Sequence, residues 1–504
     1  VGVQSYPPKR TQYPLLASSY NKSSTKGTGS QLLVNMYLEE VPDTSFYSDV
    51  AAIGTPGTTL VLANSGGSVR GSITYNSTAY IVIDSTLYQL TTDSSNSAIL
   101  SAPLGTLSSS VGRVVIRAIY NQLELADGYN VYNYNILTNT FTTVSDVSLP
   151  ANCTQILAMD GYFLFFTPNS QKVWVSDPND GTKITATHFF STNTSYDYLV
   201  SGEVSNGILY FFNQYTTTCW SDTGQTTTPF TPIQGGIHNI GCAAQYTPLV
   251  VADAVYFLAQ SAKGVLGIGS ISGINMTIIQ NRALAERINS FTNYSDAFGW
   301  TDTINGHVMY NITFPTARGY RGETWSYDTT TQAFFQRTTY NPSAAYYPDF
   351  DRYIANCCFT IGQRQYVGDF QTGNIYLLDP TNYTDNGQVI QREVISPHFI
   401  MENCWFRIYK LEIDLEKGIG LTTGQGSDPL IRLQVSKDKG NTWSNFYDRS
   451  ATAIGNYKNR ARWASLGGGR TMTMKLTMTD PVKWVIVNAT MEVELEQHAV
   501  PPSG

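Results

Sequence analysis

The chain is short of charge. Lys, Arg, Asp and Glu make up 14% of its 504 residues, against about 25% in ordinary domains. The 31 basic and 38 acidic side chains leave a formal net charge of −7. No basic run is present that could track a phosphate backbone, which argues against tight, sequence-dependent DNA binding. An acidic surface can still serve near DNA, because it repels the backbone and prevents sticking. The six cysteines (Cys153, Cys219, Cys242, Cys357, Cys358 and Cys404) contain no C-x-x-C pair, so no zinc site is suggested. Cys219 lies in an apolar run and reads as a free buried thiol. The five histidines (His188, His238, His307, His398 and His498) stand fifty residues or more apart, which excludes a helical metal pair. No apolar run is long enough to cross a bilayer, and VGVQSYPPKRTQYP lacks the apolar core of a secretory signal. The expectation is a protein with no membrane insertion of its own. The Asn-x-Ser/Thr triplets at Asn76, Asn193 and Asn311 are what chance gives in a chain this rich in Asn, Ser and Thr.

Tyrosine (33 residues), threonine, serine and asparagine take the place of charge. That is the composition of strands and uncharged turns. The clearest unit is GILYFFNQYTTTCWSD at residues 207–222: an apolar, aromatic run, a short polar break and a second run. Strand, turn, strand is the reading. An isolated hairpin of this kind is barely stable, so copies must pack on one another. Six further copies occur at residues 78–93, 118–135, 161–177, 254–270, 306–328 and 364–379. Their first strands open near Tyr80, Ile119, Tyr162, Ile208, Val255, Val308 and Tyr366, at spacings of 39 to 58 residues. Paired strands at such a period predict a β-propeller of six or seven blades. The alternative is a generic sandwich with regular hairpins.

The predicted organisation is all-β. Residues 1–30, broken by Pro7, Pro8, Pro14, Gly27 and Gly29, read as an extended arm that drapes over its own domain or reaches a neighbour. Residues 31–395 read as the propeller, with Pro56-Gly57 as a turn in which Gly accepts a positive angle. One short helix is inserted in NRALAERINSFT, where Leu284, Ile288 and Phe291 share a face; it either caps its own sheet or contacts a neighbour. Residues 396–497 alternate apolar and polar side chains and read as a C-terminal antiparallel β-sandwich. Residues 498–504 read as a flexible tail.

Motifs for chemistry are few. SKDKGNTWS at residues 436–444 matches S-x-D-x-G-x-T-W, the Asp-box turn. Asp438 accepts hydrogen bonds from the turn's own N–H groups, Gly440 supplies a special angle and Trp443 plugs the core beneath. GIGSISG at residues 267–273 fails the phosphate-loop and nucleophile-elbow patterns and reads as a strand-end turn. Asp349 with Asp351, and Glu39 with Glu40, read as solvated loop carboxylates. No catalytic, cofactor-binding or metal-binding residue is assigned, and the chain is read as no enzyme.

Taken in order, several stretches resemble one family. They are LLVNM at 32–36, TPGTT at 55–59, VWVSDPND at 173–180, the 207–222 unit with Thr223-Gly224, and GIGSISGINMTIIQNRALAERINSFT at 267–292. GDFQTGNIYLLD at 368–379, QVSKDKGNTW at 434–443 and ARWASLGGGRTMTMKLTMTDPVKW at 461–484 complete the set. The family is the tail hub, nozzle or packaged-DNA stabilisation protein of short-tailed bacteriophages (podoviruses). The resemblance implies a structural virion protein of the tail, assembled in the host cytoplasm. It implies a homohexamer below the portal and its adaptor, the head-to-tail connector ring. That hexamer would extend the DNA channel, help retain the genome until ejection, and anchor tailspikes or tail fibres and a tail plug or needle. Duplex DNA would pass through transiently and without sequence preference. Six copies would carry −42, which suits a lumen that DNA must slide through. The competing reading is a glycan-binding or glycan-hydrolysing propeller, motivated by the Asp-box and the many aromatic side chains.

Overall fold

A computed structural model describes residues 9–496 except 17–19, 21, 23–29, 42–49, 93–97, 193–196, 226–228, 320, 340–350, 402–403, 452 and 458–459. Seven antiparallel sheets are arranged as blades around a closed ring. Their inner strands are Val69–Tyr75, Val115–Ile119, Gln155–Met159, Leu199–Ser205, Leu249–Val251, Phe298–Ile304 and Ala355–Ile361. The hairpin units of the sequence are therefore the second and third strands of each blade, and the blade count is seven.

The second strands stand out because each is covered on both faces, so it reads as a continuous apolar run rather than an alternating one. In blade four, Leu209 and Phe211 pack towards blade three with Leu157, Leu164 and Phe166. Tyr210 and Phe212, the intervening residues, pack towards blade five with Val255 and Phe257. The inner strands carry weaker apolar runs, but a turn marks them. Asp160-Gly161, Asn206-Gly207 and Asn305-Gly306 all have positive φ at both positions, the geometry of a tight hairpin that favours Asn-Gly and Asp-Gly.

Blade seven is closed by a strand from far away in sequence. Gly57–Leu62 pairs with Ile375–Asp379 as the outermost strand. The loop after Asp379 clasps it: the Gly57 N–H bonds to the Asn382 carbonyl, and the Thr58 N–H to the Thr384 carbonyl. The expected positive angle at Gly57 is absent. Glycine is needed there because a Cβ would lie 2.1 Å from the Thr384 carbonyl oxygen.

The expected propeller boundaries at 31 and 395 differ from the observed pairing. Met36–Glu40, Val50–Gly54, Val485–Glu496, Trp405–Leu415 and Ala461–Gly469 form one sheet of the sandwich, with Lys9–Gln12 added against Val485–Glu496. The other sheet runs Leu32–Val34, Arg392–Ile395, Thr471–Met478, Leu430–Ser436 and Tyr447–Ser450. Residues 32–54 and 392–395 thus pair within the sandwich. The physical reason is burial: Leu33, Met36, Leu38 and Ala52 join Phe406, Leu411, Met474 and Trp484 in one core.

The two parts share a sheet. Leu32–Val34 lies between Arg392–Ile395 and the outer strand of blade six, Phe334–Thr339, with Val34 beside Gln336. Two cores straddle this seam, one joining Met309 and Phe335 to the sandwich and one joining Val34 and Ile395 to Trp325 and Phe334. The helix Arg282–Asn289 follows blade five. The Asn281 side chain caps it by accepting from the Leu284 N–H, an N-cap worth about 1 kcal/mol. Ala283, Leu284, Ile288 and Phe291 are buried against the blade-six core, so the helix covers its own chain. Within the arm, Tyr13 and Leu15 are buried in the sandwich core and Tyr20 against Trp325. The described part of the arm therefore drapes over its own chain. The tail at 498–504 lies outside the described residues.

Candidate functional site

Among the places that gather polar side chains are the propeller axis, a cleft between blades six and seven, and the joint with the sandwich. The axis is obstructed. At one mouth the Gln245 carbonyl accepts from Gln155 of blade three and Ser201 of blade four, and Tyr246 bridges to Phe298 of blade six. The Arg113 guanidinium, entering blade two, lies 3.8 Å from the Phe298 ring centre and donates to Asn356 of blade seven. Asn356 donates in turn to the Val69 carbonyl of blade one. Further along, Arg117 of blade two reaches Glu203 of blade four at 2.9 Å, past blade three. These cross-ring bonds occupy the middle of the propeller.

The cleft has a volume of about 500 Å³ and is lined by Asp302, Asn305, Arg337, Gln365, Asp379 and Pro56 among others. Its floor is the buried ion pair of Arg337 with Asp302, flanked by the rings of Trp300 and Tyr353. Burial disfavours the Arg337 charge, but Asp302 more than offsets it and holds the guanidinium protonated. No histidine or cysteine lines the cleft, so it lacks the commonest bases and nucleophiles.

At the joint, Asn35 adopts φ 51°. Its side chain donates to Thr338 Oγ1 and the Gln391 carbonyl and accepts from the Thr338 N–H. His307 of blade six bridges Asp328 of the same blade and Glu39 of the sandwich.

The Asp-box folds as its sequence predicts at the turn. Asp438 accepts from the Thr442 hydroxyl and N–H and the Ser436 hydroxyl. Those bonds pull its carboxyl down to about 2. Gly440 has φ +84°. Trp443 is half-buried: it packs against the core that joins Val34 and Ile395 to Trp325 and Phe334, with the Lys475 ammonium 4.8 Å from its ring centre. The turn's donors are spent on itself, which makes it a structural device.

The remaining candidates disperse. Asp349 lies outside the described residues, and Asp351 sits 3.8 Å from Arg321. Glu40 is exposed at a strand end while Glu39 reaches His307. Residues 267–272 lie inside the strand Leu266–Ser272, and Gly273 takes the turn. His188 stands 3.7 Å from Asp177; His398 bonds Thr473; His498 lies outside the described residues. The six cysteines are free thiols, and burial pushes Cys153 up to about 12. Among the described residues no group of three His, Cys, Asp or Glu could hold a metal ion, and no helix is long and apolar enough to cross a membrane. Sequence reasoning missed Asn35, Arg337 and the His307 bridge. Only Asn35 carried a local signal, as an Asn between two apolar runs.

A family model for the bacteriophage P22 Gp10 β-propeller matches residues 11–383, and one for the P22 Gp10 β-sandwich matches residues 391–494. The chain belongs to the P22 Gp10 family. It is a phage structural protein built as a β-propeller followed by a β-sandwich. Because the propeller match starts at residue 11, it takes in the strands of 32–54 that pair within the sandwich. No curated protein matches the chain. Among solved structures, it is similar to the N-terminal domain of Nup159, at 10% identity and a TM-score of 0.40, over 69% of this chain and 98% of that one. It is also similar to virginiamycin B lyase from Staphylococcus aureus, at 11% identity and a TM-score of 0.40, over 63% and 96%. Nothing of either protein's activity transfers at that distance.

Charge is unevenly spread over this Gp10-family chain. Residues 55–390 hold thirteen Lys and Arg against twenty-two Asp and Glu, a net −9, and the remainder nets +2. Five of the thirteen cations are exposed (Lys172, Lys183, Lys263, Arg282 and Arg364), whereas of the described acids only Asp160 and Asp253 are, and nine are buried. Arg70, Arg337 and Arg352 are buried. Arg70, for one, spends its donors on the carbonyls of Asp84, Ser109, Val111 and Gly112.

Proposed function

We propose that the chain is the subunit of a non-enzymatic tail hub or nozzle in a short-tailed phage. Six copies form a ring below the portal and its adaptor. The ring continues the DNA channel, helps retain the packaged genome and anchors tailspikes or fibres and a plug or needle. The observation that carries the reading is the family match, which spans both parts of the chain in order.

Two physical features support it. The cross-ring bonds of Arg113 and Arg117 leave the propeller axis no route for a duplex about 20 Å across, so DNA passes through the centre of the ring of subunits. Residues 55–390 net −9, and a lumen formed by a part of that net charge repels phosphate and lets DNA slide. The assembly is tested by light scattering and negative-stain microscopy of the purified chain, alone and with its adaptor ring. A six-fold ring with a pore wide enough for duplex DNA is expected in the presence of the adaptor. A chain that stays monomeric beside the adaptor, or that hydrolyses host polysaccharide, overturns the reading.

A further inference from the structure

We propose that His307 is a proton-operated latch between the propeller and the sandwich. The side chain starts the blade-six strand His307–Arg318 and is 5% exposed. Its Nδ1 lies 2.8 Å from Asp328 Oδ2 and its Nε2 lies 2.9 Å from Glu39 Oε2. Asp328 is fixed: it is fully buried and accepts from the Thr330 N–H and the Thr331 hydroxyl. Glu39 ends the sandwich strand Met36–Glu40, and its side chain is about half exposed. The Tyr37 ring lies tilted against the imidazole, with ring centres 5.1 Å apart. Its hydroxyl accepts from Asn305, and burial pushes the phenol up, so it stays neutral. Among the described residues, Glu39, Asp328 and Tyr37 are the titratable groups that face His307.

The chemistry follows from donor counting. A neutral imidazole has one N–H and one lone pair, and only the imidazolium has two donors. Two carboxylates, one on each ring nitrogen, are therefore both satisfied only by the charged form. Burial works against that charge, but the bond to Glu39 and the field of Asp328 outweigh it, and the net effect raises the group above its ordinary value. When the proton leaves, the ring keeps its bond to the fixed Asp328 and turns a lone pair towards Glu39. Glu39 then swings into water. The seam along Leu32–Val34 remains, so the latch loosens one side of the joint without separating the two parts.

The stabilisation is complete below the ordinary histidine value of about 6.5 and is lost as pH rises through the raised folded value. The test uses the full chain with 13C-labelled histidine. His307→Gln assigns the resonance, and Glu39→Gln, at a half-exposed site that folding tolerates, removes one carboxylate. His307 is expected to titrate above about 6.5, and Glu39→Gln is expected to bring it down by about one unit. The melting midpoint of the native chain should fall as pH rises through the His307 titration, and the difference between native and Glu39→Gln chains should vanish above it. A His307 that titrates at or below the ordinary value, or one that Glu39→Gln leaves unmoved, overturns the proposal.

Discussion

The propeller and the sandwich solve the same problem by opposite routes. Six of the blades are sequence-local: four or five successive strands fold back on one another, and the next blade begins after the last ends. The sandwich is assembled from the two ends of the chain. Leu32 lies opposite Ile395 and Lys9 opposite Val493, so hundreds of residues must be placed before those pairs can form. Local contacts cost little loop entropy and non-local ones cost more. The propeller can therefore be built up blade by blade, whereas the sandwich depends on what has already folded. The contrast extends to charge, with −9 on the propeller residues and +2 on the rest.

The comparison breaks most sharply on truncation. Residues 391–504 alone lack the strands that 9–54 supply, and are expected to give a poorly dispersed amide spectrum and no cooperative melt. Residues 55–390 retain the closing strand Gly57–Leu62 and should melt cooperatively. A folded, monomeric 391–504 fragment would remove the distinction.

Next in size is the buried pair in blade six. Asp302→Ala strands the Arg337 guanidinium and is expected to cost about 3–5 kcal/mol in denaturant unfolding. Replacing both partners by apolar residues of similar volume should recover much of that. If the double substitution is as damaging as the single one, the pair is stabilising in its own right.

Ring closure comes third. Gly57→Ala puts a methyl group against the Thr384 carbonyl, and should cost about 1–3 kcal/mol. The same change at Gly424, in a sandwich loop where a Cβ meets nothing within 4 Å, pays only for its positive φ of 77°. Equal losses at the two sites would deny the closing strand its special place.

The smallest effect is a pH slope. Glu124 in blade two is buried, with Asn133 bonded to one oxygen and none to the other. Burial pushes it up to about 8. The folded chain thus holds a proton that the unfolded chain releases near its ordinary value of 4.5, so stability falls as pH rises between those values and levels off above about 8. Glu124→Gln should flatten that part of the profile. An unchanged profile would mean that Glu124 is ionised in the fold.

How much of this was legible follows the same division. The apolar runs at Tyr162–Phe166 and Ile208–Asn213 revealed blades because stacking on two faces leaves a continuous apolar signature in a single stretch. The inner strands were hidden in weaker runs, although Asp160-Gly161, Asn206-Gly207 and Asn305-Gly306 announced their turns. LLVNMYLEE looked like the start of the propeller because nothing in those nine residues states which distant strand they will pair with. The Asp-box was legible down to its hydrogen bonds, since Ser436, Asp438, Gly440 and Thr442 need only one another. Its Trp443 was legible only in part: it packs on a core as the motif implies, but how deeply depends on what lies beneath the turn.

The sequence by itself determined the repeated hairpins, the local turns, the helix in NRALAERINSFT and the low, net-negative charge, all of which are read from composition or from neighbours within a few residues. Only the tertiary structure decided that the chain's start belongs to the sandwich, that Gly57–Leu62 closes the ring, that arginines obstruct its axis, and that His307 joins Asp328 to Glu39. Those outcomes rest on contacts between residues twenty to several hundred positions apart. Their energies come from burial and pairing, which no local pattern encodes.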